Sequence, residues 1–489
     1  MAPYYKKSYT LTPPSNAARK HLGLNYIDEK LRGVDGPIQA SFPEDLNDPL
    51  PNAWIATLKN LGYPMSGDPF SGIAYGGYTN AASIDPKTRQ RSYSANAYWE
   101  PAQKRSNLRV ITGALAEKLL LDASNAEVVA QGAQYSKDGR TNTIKARKEV
   151  ILCAGAFYTP KLLELSGIGN ASLLKTHGIP LVIDNPNVGE NLQDQVMTGF
   201  SFEVRDGLKI KDDLSRENPA AITAAMESFS NEQSGPFTVG GVFSYAFLPV
   251  IDFTTLDGRK ELDEVIQRSV YEDKHPLQQA HALFVHDLLA NLHEGSGGFF
   301  TYPAQGNFGG EGSGAELVQT LLPGNFYTIA VSLMHPLSRG SSHITSSDPN
   351  DKPAVDPKYL VHPLDLEIFA RHVRFIGTIM QTEPLKSLLK PGGLVNRAAP
   401  KDLQSLDAIK EYVKDTGLSS WHPTTTCAML PRNAGGVVDH RLIVHQTKNL
   451  RIVDASVMPI TPRGNPQSSV YAIAERAADF IKMDYGMEV

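Results

Sequence analysis

An imidazole and a carboxamide in the C-terminal part of the chain are the side chains with the clearest chemical potential. His422 lies in the run SSWHPTTTCAM, residues 419–429, and Asn465 in GNPQ, residues 464–467. Imidazole titrates nearest neutral pH, so His422 is a candidate base. A carboxamide cannot act as a base; Asn465 would act by donating a hydrogen bond to an oxygen on which negative charge develops. Each side chain also has a plainer reading, His422 as a capping or core histidine and Asn465 as a helix N-cap.

The elements that must hold these residues can be read around them. Residues 449–481 are NLRIVDASVMPITPRGNPQSSVYAIAERAADFI. The apolar run 450–453 followed by Asp454-Ala455-Ser456 suits a buried parallel strand that ends at a polar site. Beyond a loop containing Pro459 and Pro462, apolar residues at Val470, Ile473, Ala474, Ala477, Phe480 and Ile481 recur as one buried helix face requires. Asn465 at the N-cap and Pro466 at the first helical position would specify its start. Unpaired N–H groups and the positive end of the helix dipole stabilise an anion at such a start. Strand, polar turn, loop and helix therefore offer a seat for a group that becomes negative during a reaction, or else one more crossover of an α/β domain.

A second stretch, VILCAGAFYTPKLLELSGIG at 150–169, runs a buried strand into Ala154-Gly155-Ala156. Thr159-Pro160 is expected to cap a short helix that stops at Gly167. Small residues after a strand let the backbone approach a bulky ligand, although Gly155 would equally serve a tight strand-to-helix turn.

The chain of 489 residues is 41% hydrophobic, enough for a large core and more than one domain, and its net charge is −5. No basic run marks a nucleic-acid surface, and no apolar run is long enough to span a membrane. The opening residues, MAPYYKKSYTLTPP, have no apolar core and do not read as a signal peptide. Cys153 and Cys427 are the only cysteines and are expected to be buried free thiols; this low usage favours a cytoplasmic protein. The histidines form neither a HExxH pattern nor a Cys/His cluster, so no metal site is expected.

Along the chain, residues 1–75 are rich in Pro, Gly and Asn, with helices expected at 17–22 and 52–61. Strands are expected at 107–111, 127–135 and 143–152, with a turn at 137–140. NPNVGENLQDQ, at 185–195, reads as a turn-rich polar segment. From about 196 to 407, alternating runs such as 199–204 and 327–333 suit antiparallel strands, and helices are expected at 261–271 and 277–292. The Gly-rich span 295–314 lacks a GxxxxGK pattern and reads as a mobile loop.

Several of these segments carry a resemblance. GAFYTPKLLELSGIG, from 155 to 169, fits position by position one of the two sequence signatures of the glucose–methanol–choline oxidoreductases, flavoenzymes that oxidise alcohols. Similarity continues in NPNVGENLQD (185–194), HPLSRG (335–340), DPKYLVHPLD (356–365), and GGVVD (435–439) followed by NLRIVDASVMP, in the family's order. The resemblance implies an α/β and α+β fold: an incomplete Rossmann-like FAD-binding domain with an antiparallel-sheet substrate domain. Residues 1–75 would form a covering segment, 76–195 part of the FAD-binding domain, 196–411 the substrate domain, and 412–489 the C-terminal part of the FAD-binding domain with the catalytic residues.

Two departures accompany it. Family members normally begin with a βαβ unit carrying GxGxxG, and no such pattern is present here. A pyrophosphate-binding helix start would be lost with it, and this chain alone is expected to bind FAD poorly or not at all. Where the family usually writes HPxGT, residues 422–426 read HPTTT, placing Thr425 at the glycine. If that glycine is needed for positive φ, Thr425 strains the turn.

What the resemblance assigns to individual residues follows. His422 resembles the family's catalytic histidine, and Asn465 stands where members carry a second histidine or an asparagine. Asp454 and Ala455 would face the FAD pyrophosphate and ribityl chain, and Pro466 and Gln467 the flavin pyrimidine edge. Gly155 and Ala156 would lie near the adenosine, and the backbone around Ala116 would touch the adenine. The expected function is FAD-dependent oxidation of a small-molecule alcohol with His422 as base, with secondary metabolism as the setting the resemblance suggests. The alternatives are a non-redox lyase or cyclase on the same scaffold, and an inactive fragment.

Overall fold

The computed structural model describes residues 1–73, 75–242, 244–271, 275–306, 308 and 321–488. Its largest sheet is six-stranded and antiparallel, in the order Leu418–Ser419, Val196–Glu203, Phe326–Leu333, Gly297–Tyr302, Ser244–Leu248, Gly76–Thr79. The strand Phe326–Leu333 is buried along its whole length, in the same core as the apolar face of helix Pro363–Met380. Helix Leu50–Asn60 joins this core through Trp54, which is fully buried and donates its indole N–H to the Tyr245 carbonyl at 2.9 Å. That bond satisfies the one polar atom of a large buried ring.

A second core forms around the parallel pair Val150–Leu152 and Leu450–Ile452, together with an antiparallel meander of Leu115–Asp122, Val129–Lys137 and Arg140–Lys145. Leu163, Ile168, Val437, Val438, Leu450 and Ile452 are buried between these strands and helix Gly155–Leu165. The C-terminal helix, Gln467–Asp484, closes this side, and the N-terminal helix Ala2–Ser8 lies against it, with Lys7 paired to Glu475 at 3.0 Å and Tyr5 bonded to Ser469 at 2.8 Å. In the parallel ladder Val150 and Leu152 bond to the 450–452 strand, so the N–H and C=O of Ile151 point the other way, where no further strand pairs among the described residues. Ile151 is 41% exposed, leaving an open edge. Among the described residues, no helix is long and apolar enough to cross a membrane.

Several sequence expectations are corrected. Residues 107–111 form no strand; they are exposed, and no neighbouring strand offers them a ladder. The run 143–152 is two strands because the chain changes sheets: Arg140–Lys145 ends the meander and Val150–Leu152 enters the parallel pair. Part of the Gly-rich span is the strand Gly297–Tyr302, while 307 and 309–314 lie outside the described residues. Strand Gly76–Thr79, near the start of the 76–195 segment, is an edge of the large antiparallel sheet. Cys153 is exposed, and only Cys427 is buried. The expected helices appear with shifted ends, at Asn16–His21, Leu50–Asn60, Leu256–Arg268 and Gln278–Ala290.

Thr159 and Pro160 do not cap a helix; they lie inside Gly155–Leu165. Proline has no N–H to give the carbonyl one turn earlier, that of Ala156. The Thr426 hydroxyl donates to it instead, at 2.7 Å. Glu164, at the other end of the same helix, is fully buried; it meets His343 Nδ1 at 2.7 Å and accepts from the Ile344 N–H at 2.9 Å. His343 Nε2 reaches Glu190 at 3.1 Å. Gly189 must be glycine beside this ring, since a Cβ there would fall 2.7 Å from His343 Nδ1 and 2.4 Å from the Ser342 carbonyl oxygen.

Burial alone would lower the His343 pKa, but bonds to Glu164 and Glu190 outweigh it and raise it to about 9 from 6.5. The folded state therefore holds a proton that the unfolded chain gives up earlier. The resulting stabilisation, about 3 kcal/mol, is complete below pH 6.5 and lost as pH rises through 9. Urea unfolding from pH 6 to 10 is expected to show this decline, and His343→Gln to flatten it; an equal slope in both proteins would show that the cluster does not hold the proton.

Candidate active site

The segment carrying His422 is gripped from both sides. On one side Thr425, Cys427 and Met429 donate backbone N–H groups to Ala455, Ser456 and Val457, at 3.2, 2.8 and 2.8 Å. On the other, Thr424 and Gln193 pair in a short antiparallel bridge, and Ser420 donates to the Gln195 carbonyl at 3.0 Å. His422 itself is half-buried. Its backbone N–H donates to Asp194 Oδ1 at 3.0 Å, and its ring Nδ1 meets Gln195 Oε1 at 2.8 Å. Its Nε2 faces Asn465 Nδ2 at 3.1 Å. Burial pushes the His422 pKa down, with Asp194 opposing, so the imidazole is neutral and holds a lone pair at neutral pH.

Asn465 does not cap the C-terminal helix. Pro466 is the N-cap, the helix starts at Gln467, and no side chain bonds its first amides. The carboxamide of Asn465 is turned to His422 instead. Asn465, Gln467 and Ser468 are exposed, so an uncapped helix start opens to solvent beside the His422–Asn465 pair.

Asp454 is buried at 6% exposure, and its carboxylate turns inward. One oxygen accepts from the Gly155 N–H at 2.9 Å and the Thr159 hydroxyl at 2.6 Å, and the other from the Ser456 N–H and hydroxyl at 2.8 and 2.5 Å. Any contact Asp454 makes with a ligand must come from its backbone. Ala455 offers its carbonyl to Thr425, and buried Ala156 offers its own to Thr426, so both abut the His422 segment. Gly155 has φ +78°, and a Cβ there would meet nothing within 4 Å, leaving open space over the turn. Ala116 stands apart, exposed on strand Leu115–Asp122.

Gln195 and Asp194 escaped the sequence reading. The signal was the recurrence of carboxamides at Asn191, Gln193 and Gln195; Asn191 lies in a bend with φ +65°, and all three side chains reach the same loop. The Asn191 amide donates to the Pro459 carbonyl at 3.2 Å, Gln193 Oε1 accepts from Thr461 at 3.1 Å, and the Gln195 amide donates to Pro462 and Gly464 carbonyls at 2.8 and 3.2 Å. These bonds fix the loop that ends at Asn465.

Comparison with known proteins fits this geometry. Sequence profiles described as GMC oxidoreductase match residues 14–197 and 336–474, the first for the N-terminal and the second for the C-terminal part of the family. The chain is 33% identical over 481 residues to the GMC oxidoreductase family protein Mala s 12 of Malassezia sympodialis, covering 97% of this chain and 72% of that protein. The chain belongs to the GMC oxidoreductase family. Among solved structures, an FAD-dependent oxidoreductase from Chaetomium thermophilum aligns with TM-score 0.84 and 25% identity, over all of this chain and 80% of its own. A fungal aryl-alcohol oxidase aligns with TM-score 0.80 and 27% identity, over 99% of this chain and 79% of its own. This GMC chain is thus an FAD-dependent oxidoreductase with the family's fold.

The residues present fit the ring end of FAD. The open start of Gln467–Asp484 suits negative charge at the pyrimidine edge of the flavin, His422 and Asn465 converge beside it, and the Gly155 turn leaves room for a ligand backbone. At the start of helix Gly155–Leu165 the Gly155 N–H is already taken by the Asp454 carboxylate.

Thr425 is fully buried and adopts the glycine-like φ of +80°. Its hydroxyl donates to the Asn191 carbonyl and accepts from the Gln193 N–H at 3.1 Å, so a strained β-branched residue is held by the segment it helps to anchor. Thr425→Val, which keeps the strain, removes the donor to the Asn191 carbonyl and leaves the Gln193 N–H only its long bond to the Thr424 carbonyl at 3.4 Å, is expected to cost about 2 kcal/mol in urea unfolding. Thr425→Gly is expected to cost less, because it relieves about 1 kcal/mol of backbone strain. A Val variant as stable as the parent would show the hydroxyl holds nothing.

Proposed function

We propose that this chain oxidises a primary or secondary alcohol, with His422 as the base and Asn465 as the donor to the substrate oxygen. The observation that carries this reading is the 3.1 Å approach of His422 Nε2 and Asn465 Nδ2, residues 43 apart in sequence, at the mouth of an uncapped helix start. FAD, when bound, supplies the hydride acceptor. The chain's own part is to take the hydroxyl proton on His422 Nε2 while Asn465 donates to the oxygen, so that the carbonyl forms as hydride leaves carbon. Asn465 is exposed and carries no other described hydrogen bond, so its amide is free to turn from the ring to a substrate oxygen.

The core beneath the loop that carries Asn465 is apolar. The Gly464 N–H points at Met334 Sδ at 3.3 Å, and Met334 packs with Tyr78 and Phe247 in one buried cluster.

Alcohol-dependent dye reduction by the FAD-loaded protein tests the proposal. His422→Ala is expected to lower kcat/KM by about 10² to 10⁴-fold, and Asn465→Ala by about 10²-fold. In the parent, kcat/KM should fall as pH drops through a value below 6.5, because burial lowers the His422 pKa. Full turnover by His422→Ala would sink the base assignment.

A further inference from the structure

We propose that Gln195 is a positioning residue for this chemistry: one carboxamide sets the tautomer of His422 and fixes the loop that presents Asn465. The inference rests on the reading of His422 as base. Gln195 is 1% exposed and bridges two elements that are far apart in the chain. Its nitrogen lies 2.8 Å from the Pro462 carbonyl oxygen and 3.2 Å from that of Gly464, and its oxygen lies 2.8 Å from His422 Nδ1.

The orientation of this amide is dictated by its partners. Two backbone carbonyls accept and cannot donate, so the atom facing them must be the NH₂ group. The oxygen is then the atom that faces His422, and an oxygen can only accept. Nδ1 must therefore carry the proton, and Nε2 of the neutral ring is left with its lone pair. The same logic passes to the next residue: Nε2 accepts, so Asn465 must turn its NH₂ group toward it, at 3.1 Å. A backbone loop thereby decides, through one side chain, which ring nitrogen can act as a base.

No other described group does this for the ring. Asp194 Oδ1 takes the backbone N–H of His422, and Asp194 Oδ2 takes the Tyr359 and Ser419 hydroxyls. Trp421 is 74% exposed and turned to solvent. If the acceptor at 195 is removed, the ring gains nothing from a proton on Nδ1, and the Nε2–H tautomer, useless as a base, becomes available. Gln195→Leu removes both halves of the bridge. Gln195→Glu keeps the acceptor for Nδ1–H but loses the donor to Pro462 and Gly464.

Two-bond ¹H–¹⁵N correlation spectra of histidine-labelled protein read the tautomer directly, with His422 assigned by its disappearance in His422→Ala. The unmodified protein at pH 8 is expected to show His422 protonated on Nδ1. In Gln195→Leu the signal should move toward the Nε2–H pattern, and the FAD-loaded variant should lose about 10²-fold in kcat with KM little changed. Gln195→Glu should retain the Nδ1–H pattern. A proton on Nε2 in the unmodified protein overturns the proposal without any variant having to fold. An unshifted signal in a folded Gln195→Leu, judged by near-ultraviolet circular dichroism, overturns it as well. An inactive His422→Ala beside either result leaves the base reading intact and removes only Gln195; a fully active His422→Ala removes both.

Discussion

The loop from Pro459 to Gly464 cannot hold itself, and the site depends on how it is held from outside. Prolines at 459 and 462 remove two of its N–H groups, and the segment enters no strand or α-helix. A carbonyl buried without a partner costs about 1 to 3 kcal/mol. Asn191 and Gln195 donate to the Pro459 and Pro462 carbonyls, and Gln193 between them accepts from the Thr461 N–H, each of the three at most 2% exposed. Asp194, on the opposite side of that segment, takes the backbone of His422. A single run of five residues thus sets the distance between His422 and Asn465.

A second knot lies behind the site, around the parallel pair. Asp454 ends one strand of the parallel pair and spends its carboxylate on the turn after the other strand. Thr426 completes the proline-containing helix, and Thr425 accepts an unfavourable backbone conformation to reach the Asn191–Gln193 segment. Strain near 1 kcal/mol at Thr425 is tolerated because several bonds converge on one hydroxyl. Near the far end of the same helix Glu164 and His343 join the FAD-binding part to the strand Ser341–His343 by a charged bond, largely shielded from water.

Solvent reaches the reactive pair from one side. Asn465, Gln467, Ser468 and Trp421 are exposed, and the outer edge of Val150–Leu152 is unpaired among the described residues. Burial of His422 is therefore asymmetric: the Nδ1 side is packed against Gln195, while Nε2 points to the open face. This asymmetry lets one nitrogen be fixed and the other remain free to exchange partners.

Much of the architecture could be read from residue patterns because it depends on local periodicity. The apolar run at 450–453, the spacing of Val470, Ile473 and Ala477, and the strand entering Gly155 all announce elements whose partners lie in any buried core. His422 and Asn465 were singled out by side-chain chemistry and by family resemblance, and the structure brings them within hydrogen-bond reach. Local rules failed where a side chain had two possible partners. Asn465 before a proline reads as an N-cap, yet a histidine 43 residues earlier claims its amide. Thr159-Pro160 reads as a helix start, yet Thr426 supplies the bond that lets the helix run through.

The sequence by itself determined the strand–turn–helix units, the antiparallel character of the region after 196, and the residue types available for proton transfer. Only the tertiary structure decided that Gln195 would sit between His422 and a loop 267 residues further along, and so which imidazole nitrogen carries the proton. A tautomer is a property of the partners around a ring, and those partners come from segments whose meeting no local pattern encodes.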